Sequence, residues 1–204
     1  MAKETAPPGT RDRLIAAMVD ALRHRGYHGV GISDLLASAQ TPKGVLYHHF
    51  PGGKSELAVK AIEAVAEHLG SSLEKLIQRT ADPVEAVTLW MGSAQKMLEK
   101  SKFQAGCPLA TIALESTGED AEIRAALNKA FASLRAKISQ VLGAVGLPDP
   151  TARATASLIV SAYEGALLQS RVAENGDIMR ETTEALIGLI RMGLLKHGSA
   201  GGRT

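Results

Sequence analysis

The chain has 204 residues, 45% hydrophobic, 22% charged and only 3% aromatic, with a net charge of +2. That balance supports a buried core and excludes intrinsic disorder, and a single cysteine excludes an intrachain disulfide and hence a disulfide-stapled secreted fold. The polar start, Met1 to Arg13, lacks the apolar run of a signal peptide, and no stretch reaches the roughly 20 apolar residues of a membrane span. A cytoplasmic chain with no membrane partner is therefore expected.

Periodicity is helical nearly throughout and strand alternation is absent, so the fold class is all-α with about nine helices. Residues 1–9 are expected to form a disordered tail. Thr10 caps a first helix with Leu14, Ile15, Met18 and Leu22 on its apolar side, ended by Gly26. Ser33 is the expected N-cap of a short second helix that turns Leu35, Leu36 and Ala39 inward. Thr41 then caps a third helix with Pro42 in its first turn, running to about Phe50 and stopped by Pro51-Gly52-Gly53. A long helix starts near Lys54 and runs to about Gln78. Further helices are predicted over 83–100, 108–115, 120–142, 150–174 and 178–197, with 198–204 a second disordered tail.

Two short helices around a tight polar turn, at 32–54, have helix-turn-helix proportions. The second helix of such a motif enters the DNA major groove, its N-terminal residues meeting base edges and phosphates. Leu46 and Phe50, four apart, face the core and leave Lys43, Gly44, Tyr47 and His48 outward. Gly44 is read as the residue that lets the backbone approach DNA, and Tyr47 as a phosphate-binding hydroxyl. Ser33 and Lys54 begin flanking helices, whose amide ends attract phosphate. Charge agrees: residues 1–54 hold seven Lys and Arg against four Asp and Glu, the remainder sixteen against seventeen.

The run Gly44-Val45-Leu46-Tyr47-His48-His49-Phe50, followed by Lys54-Ser55-Glu56-Leu57, resembles the N-terminal domain of TetR-family transcriptional regulators. The spelling YHHFPGGK together with Gly106-Cys107-Pro108-Leu109-Ala110 is similar to the branch typified by lincomycin-resistance regulators. The resemblance implies a helix-turn-helix domain at 10–54 and a ligand-binding and dimerisation domain at 55–197. It implies a homodimer on double-stranded palindromic operator DNA, released by a small hydrophobic effector, and no enzyme activity or cofactor. Carried over by position, Ser33, Tyr47 and Lys54 match phosphate contacts, and Thr41, Pro42, Lys43 and His48 match base or backbone contacts. Pro42 departs from the commoner polar residue there, and the doubled Gly52-Gly53 lengthens the turn before Lys54.

Pocket linings are expected among Trp90, Met91, Met97, Phe103, Cys107, Ile112, Tyr163 and Gln169, since ligand pockets are apolar with a few polar groups. Core packing explains each of them equally well. Four aromatics lie beyond residue 54, too few for an aromatic cage around a cation. Ser157, Ser161 and Gly165 form a small-residue stripe that lets a helix approach closely. With Leu186, Ile187, Ile190 and Leu194 they are the expected dimer seam. His48 and His49 diverge by about 100° on a helix and cannot chelate one ion from one face, so no metal is expected. Two alternatives stay open: redox sensing at Cys107, which sits at a helix start, or a helical interaction module or enzyme without DNA binding.

Overall fold

A computed structural model describes residues 9–80 and 82–198. Its described residues form nine helices and no strand: α1 Thr10–His24, α2 Ile32–Ser38, α3 Val45–His49, α4 Gly53–Arg79, α5 Pro83–Lys100, α6 Pro108–Glu115, α7 Ala121–Ala144, α8 Asp149–Ala173 and α9 Asp177–Gly198. Apart from Gly9 and Gly198, the two expected disordered tails lie outside the described residues. No helix among them is long and apolar enough to cross a membrane.

The boundaries of α5 and α6 match the predicted ones, because Asp82 and the Gly106-Cys107-Pro108 break mark them in the sequence. Asp82 is a working cap: its carboxylate accepts the Val84 N–H at 2.8 Å, satisfying one orphan donor ahead of Pro83. The short helices depart from prediction. α2 begins at Ile32, and its N-cap is Gly31, whose N–H donates to the Asp34 carboxylate at 3.3 Å. Ser33 is thus a first-turn residue and not the cap. α3 begins at Val45 behind Gly44, so neither Thr41 as cap nor Pro42 as first helical residue holds. Thr41 instead turns its hydroxyl back to the Leu36 carbonyl at 3.4 Å, and Pro42 to Gly44 form a turn.

Two compact units emerge. Among the described residues, the first comprises 9–65 together with Pro108–Leu127. Leu14, Met18 and Leu22 of α1 are buried with Leu35, Leu36, Leu46, Phe50, Leu57, Ile62 and Ile112. α1 packs on both α2 and α6. This grouping is discontinuous in sequence, a feature that linear segments at 10–54 and 55–197 do not express.

The second unit comprises Ala66–Cys107 and the chain from Asn128 onward. In it α9 packs against α8 and α5, and α5 against α8. Trp90 of α5 stacks on Tyr163 of α8 with centroids 4.7 Å apart, and its indole N–H donates to the Leu69 carbonyl at 3.3 Å. The buried Ser170 hydroxyl accepts the Met179 N–H at 3.2 Å, providing for a donor that the first turn of α9 leaves over.

Candidate DNA-binding interface

The interface is built on α3, a helix of five residues with a buried rear. Leu46 and Phe50 are 1% and 0% exposed, which fixes the helix rotation and turns Tyr47 and His48 to solvent. Tyr47 is 58% exposed, an uncommon position for a large aromatic side chain. Its ring lies beside Gly53, where a Cβ would stand 3.2 Å from Tyr47 Cε1. His49 is half-buried and meets the His48 ring edge-on at 5.0 Å.

The turn before α3 is set by Gly44, whose φ of +94° lies in the left-handed region that an L side chain rarely adopts. A Cβ there would meet nothing within 4 Å. The glycine is therefore demanded by the backbone of the turn, a stronger reason than the close approach expected from sequence. Pro42, Lys43 and Gly44 are exposed, as is Ser33, whereas Thr41 is half-buried.

Lys54 departs most from expectation. It is half-buried, and its ammonium donates to the Tyr27 carbonyl at 2.6 Å while lying 4.4 Å from the centroid of the Tyr27 ring. Burial lowers its pKa, and the charge of Glu115 acts in the opposite sense. The side chain is thus committed to the connector between α1 and α2, whereas a phosphate contact would need it turned outward. Tyr27 is raised by burial and by Asp120, and bonded to the Ser55 hydroxyl. Sequence inspection missed Glu115 altogether, because it meets this connector from 87 residues away.

The expected pocket residues are scattered. Trp90, Met91 and Tyr163 are core, Met97 and Phe103 are half-buried, and Ile112 belongs to the first unit. Gln169 is exposed and donates to the Gly165 carbonyl of its own helix at 3.2 Å. A cavity of about 670 Å³ does exist in the second unit, lined by α7, α8 and their connection, with Arg135, Ser139, Leu147 and Arg153 among its residues. None of the expected pocket residues lines it. Cys107 is buried and its sulfur donates to the Glu164 carboxylate at 3.1 Å. A reactive thiolate needs an accessible, electropositive setting, which is the reverse. Glu164 itself is pushed up to about 7 by burial, with the Cys107 bond opposing, and its second oxygen has no partner among the described residues.

The residues expected at the dimer seam divide by burial. Leu186, Ile187 and Ile190 are buried within the unit, where α9 meets α8 and α5. The large apolar side chains left exposed are Leu158, Leu168 and Val172 on α8 and Leu189, Met192 and Leu195 on α9. Ser157 and Ser161 are exposed, and Gly165 and Leu194 half-buried. Sequence periodicity marked α9 as apolar but could not separate the two sides of so wide an apolar arc.

Residues 14–61 match the family described as bacterial regulatory proteins of the tetR family, and residues 83–185 match the LmrA/YxaF-like transcriptional regulator C-terminal domain. An HTH-type transcriptional regulator of Mycobacterium tuberculosis strain H37Rv is 31% identical over 80% of this chain and 85% of its own length. The HTH-type transcriptional regulator LmrA of Bacillus subtilis is 22% identical over 89% of this chain and 97% of its own length. In fold, a TetR transcriptional regulator from Legionella pneumophila superposes with a TM-score of 0.80 at 18% identity, covering 89% of this chain and 97% of that one. These relatives are regulators and not enzymes. The chain belongs to the TetR family of DNA-binding transcriptional regulators, in the group with an LmrA/YxaF-like C-terminal domain.

Proposed function

We propose that the protein is a cytoplasmic repressor that binds a palindromic operator as a homodimer and leaves it when a small hydrophobic effector binds the C-terminal domain. The observation that carries the DNA contact is the exposed Tyr47 on a helix whose rear is locked by Leu46 and Phe50. The Tyr47 ring lies beside Gly53, but most of the side chain is turned outward near Lys43 and His48, and its hydroxyl can donate to a phosphate oxygen. Lys43, Pro42, Gly44 and His48 line the leading edge of α3, and Ser33 and Thr41 flank it. Lys54 acts behind this surface, as a support.

The dimer is supported by the exposed apolar side chains of α8 and α9 flanking the small residues Ser161 and Gly165. Two such helices from each protomer would close a four-helix seam, and two copies of α3 would face half-sites ~34–36 Å apart. An effector that favours a dimer with a different spacing lowers occupancy by population shift, and a large change needs several kcal/mol of discrimination.

Electrophoretic mobility shift with the DNA upstream of the protein's own gene tests the reading. A retarded complex at low salt that weakens steeply as salt rises is expected. Absence of a complex at low salt would overturn it.

A further inference from the structure

We propose that Glu115, the last residue of α6, is a positioning residue for DNA binding: its carboxylate seats the Gly26-Tyr27-His28 connector and, through it, the start of α4 behind the recognition helix. One oxygen of Glu115 accepts the His28 N–H at 2.8 Å. The other occupies the space that a side chain at position 26 would need, since a Cβ on Gly26 would lie 1.8 Å from it. Gly26 has φ of +78°, so glycine is required there both by the backbone and by the carboxylate.

Tyr27, the middle residue of the three, is also held by the start of α4. Lys54 donates to the Tyr27 carbonyl and covers its ring, and Ser55 bonds the Tyr27 hydroxyl. The negative charge of Glu115 acts favourably on the Lys54 ammonium. The connector is therefore clamped between a carboxylate and an ammonium, all within the first unit.

The placement of Glu115 is unfavourable for α6 itself. A helix C-terminus carries partial negative charge and favours Lys or Arg, yet the last turn of α6 has no basic residue and ends on this glutamate. What the carboxylate gains must come from the connector. α3 has only five residues and is joined to α4 by Phe50 to Gly52, so the seat of α4's first turn determines where Tyr47 stands. The Tyr47 ring stands where a Cβ on Gly53 would come within 3.2 Å of it, which ties the two positions together.

The inference rests on the DNA-binding reading, and the experiment separates the two. Full-length wild type, Glu115→Ala, Glu115→Gln and Gly26→Ala are titrated by fluorescence anisotropy against the upstream fragment and a scrambled duplex of equal length. Thermal melts report folding, and amide hydrogen exchange is followed at His28. Glu115→Ala should lose about tenfold in affinity for the upstream fragment, the scale of one charge-assisted hydrogen bond, and a comparable factor on the scrambled duplex, because Tyr47 is read as a phosphate contact, with the folded fraction unchanged. Gly26→Ala should behave likewise. Glu115→Gln, which keeps an acceptor for His28, should lose less than Glu115→Ala. The His28 amide should be protected in wild type and Glu115→Gln.

Unchanged specific affinity in folded Glu115→Ala would overturn the proposal. So would a loss of binding that only tracks the unfolded fraction in the melts, which would make the residue merely structural. An unprotected His28 amide in wild type overturns it even if the alanine variant fails to fold. Wild type that binds neither duplex, with His28 protected, would instead sink the DNA-binding reading.

Discussion

Tyr47 and Glu164 show how differently two polar groups can stand to their surroundings. Tyr47 is exposed on α3, so removal of its hydroxyl should leave the fold intact. Tyr47→Phe should weaken binding to any duplex by about 1 kcal/mol, near fivefold, as anisotropy on matched and scrambled DNA would record. Altered sequence preference at unchanged affinity would contradict a phosphate contact. Glu164 is the reverse case, its carboxyl raised by burial to about 7 from 4.5. The folded protein keeps a proton there that the unfolded chain has released, so stability falls as pH rises from the unfolded value through the folded one. That loss is on the order of 3 kcal/mol at most, and is complete above about pH 7. Glu164→Gln should remove this slope, which urea midpoints at about pH 5 and about pH 8 would show.

At the scale of the element, helix ends divide into those a local pattern specifies and those it does not. Asp82 followed by Pro83 is a local signal, and its side chain caps α5 as the residue types require. Asp82→Ala should cost about 1 kcal/mol in a denaturant titration. Thr41-Pro42 carries an equally good local signal for α3, yet the helix starts at Val45. The buried positions of Leu46 and Phe50 set the rotation of α3, and the left-handed Gly44 turns the chain into it. Gly44→Ala should therefore cost about 1–2 kcal/mol through backbone strain alone, read from the shift of the melting transition, and should weaken DNA binding as well. The outward placement of Lys43, Gly44, Tyr47 and His48 was legible from residue types. The Lys54 contact was not, because its partner Tyr27 is 27 positions away along the chain.

For the whole molecule, the question is which apolar surface is interior and which is seam. Both sides of α9 carry large apolar residues, so periodicity labels them alike. Packing against α5 and α8 assigns Leu186 and Ile190 inward and leaves Leu189 and Met192 out. Leu168→Asp or Leu189→Asp should yield a folded monomer in analytical ultracentrifugation. Ile190→Asp should instead destabilise the protomer by roughly 3 kcal/mol, because it buries an unpaired charge. A stable dimer of Leu168→Asp with Leu189→Asp would place the seam elsewhere.

Local chemistry in the sequence determined the helical class, the break points with Gly or Pro, and the residue types on the outward face of α3. These depend on neighbours within about one helical turn, which the sequence carries in order. Tertiary structure decided the rest. It committed Lys54 to Tyr27, brought Glu115 onto Gly26 and His28, and divided the apolar face of α9 between core and surface. Each of those outcomes depends on which distant segment occupies the adjoining space. Hydrophobic burial is non-directional, and a list of residues does not say which of two apolar sides will be covered.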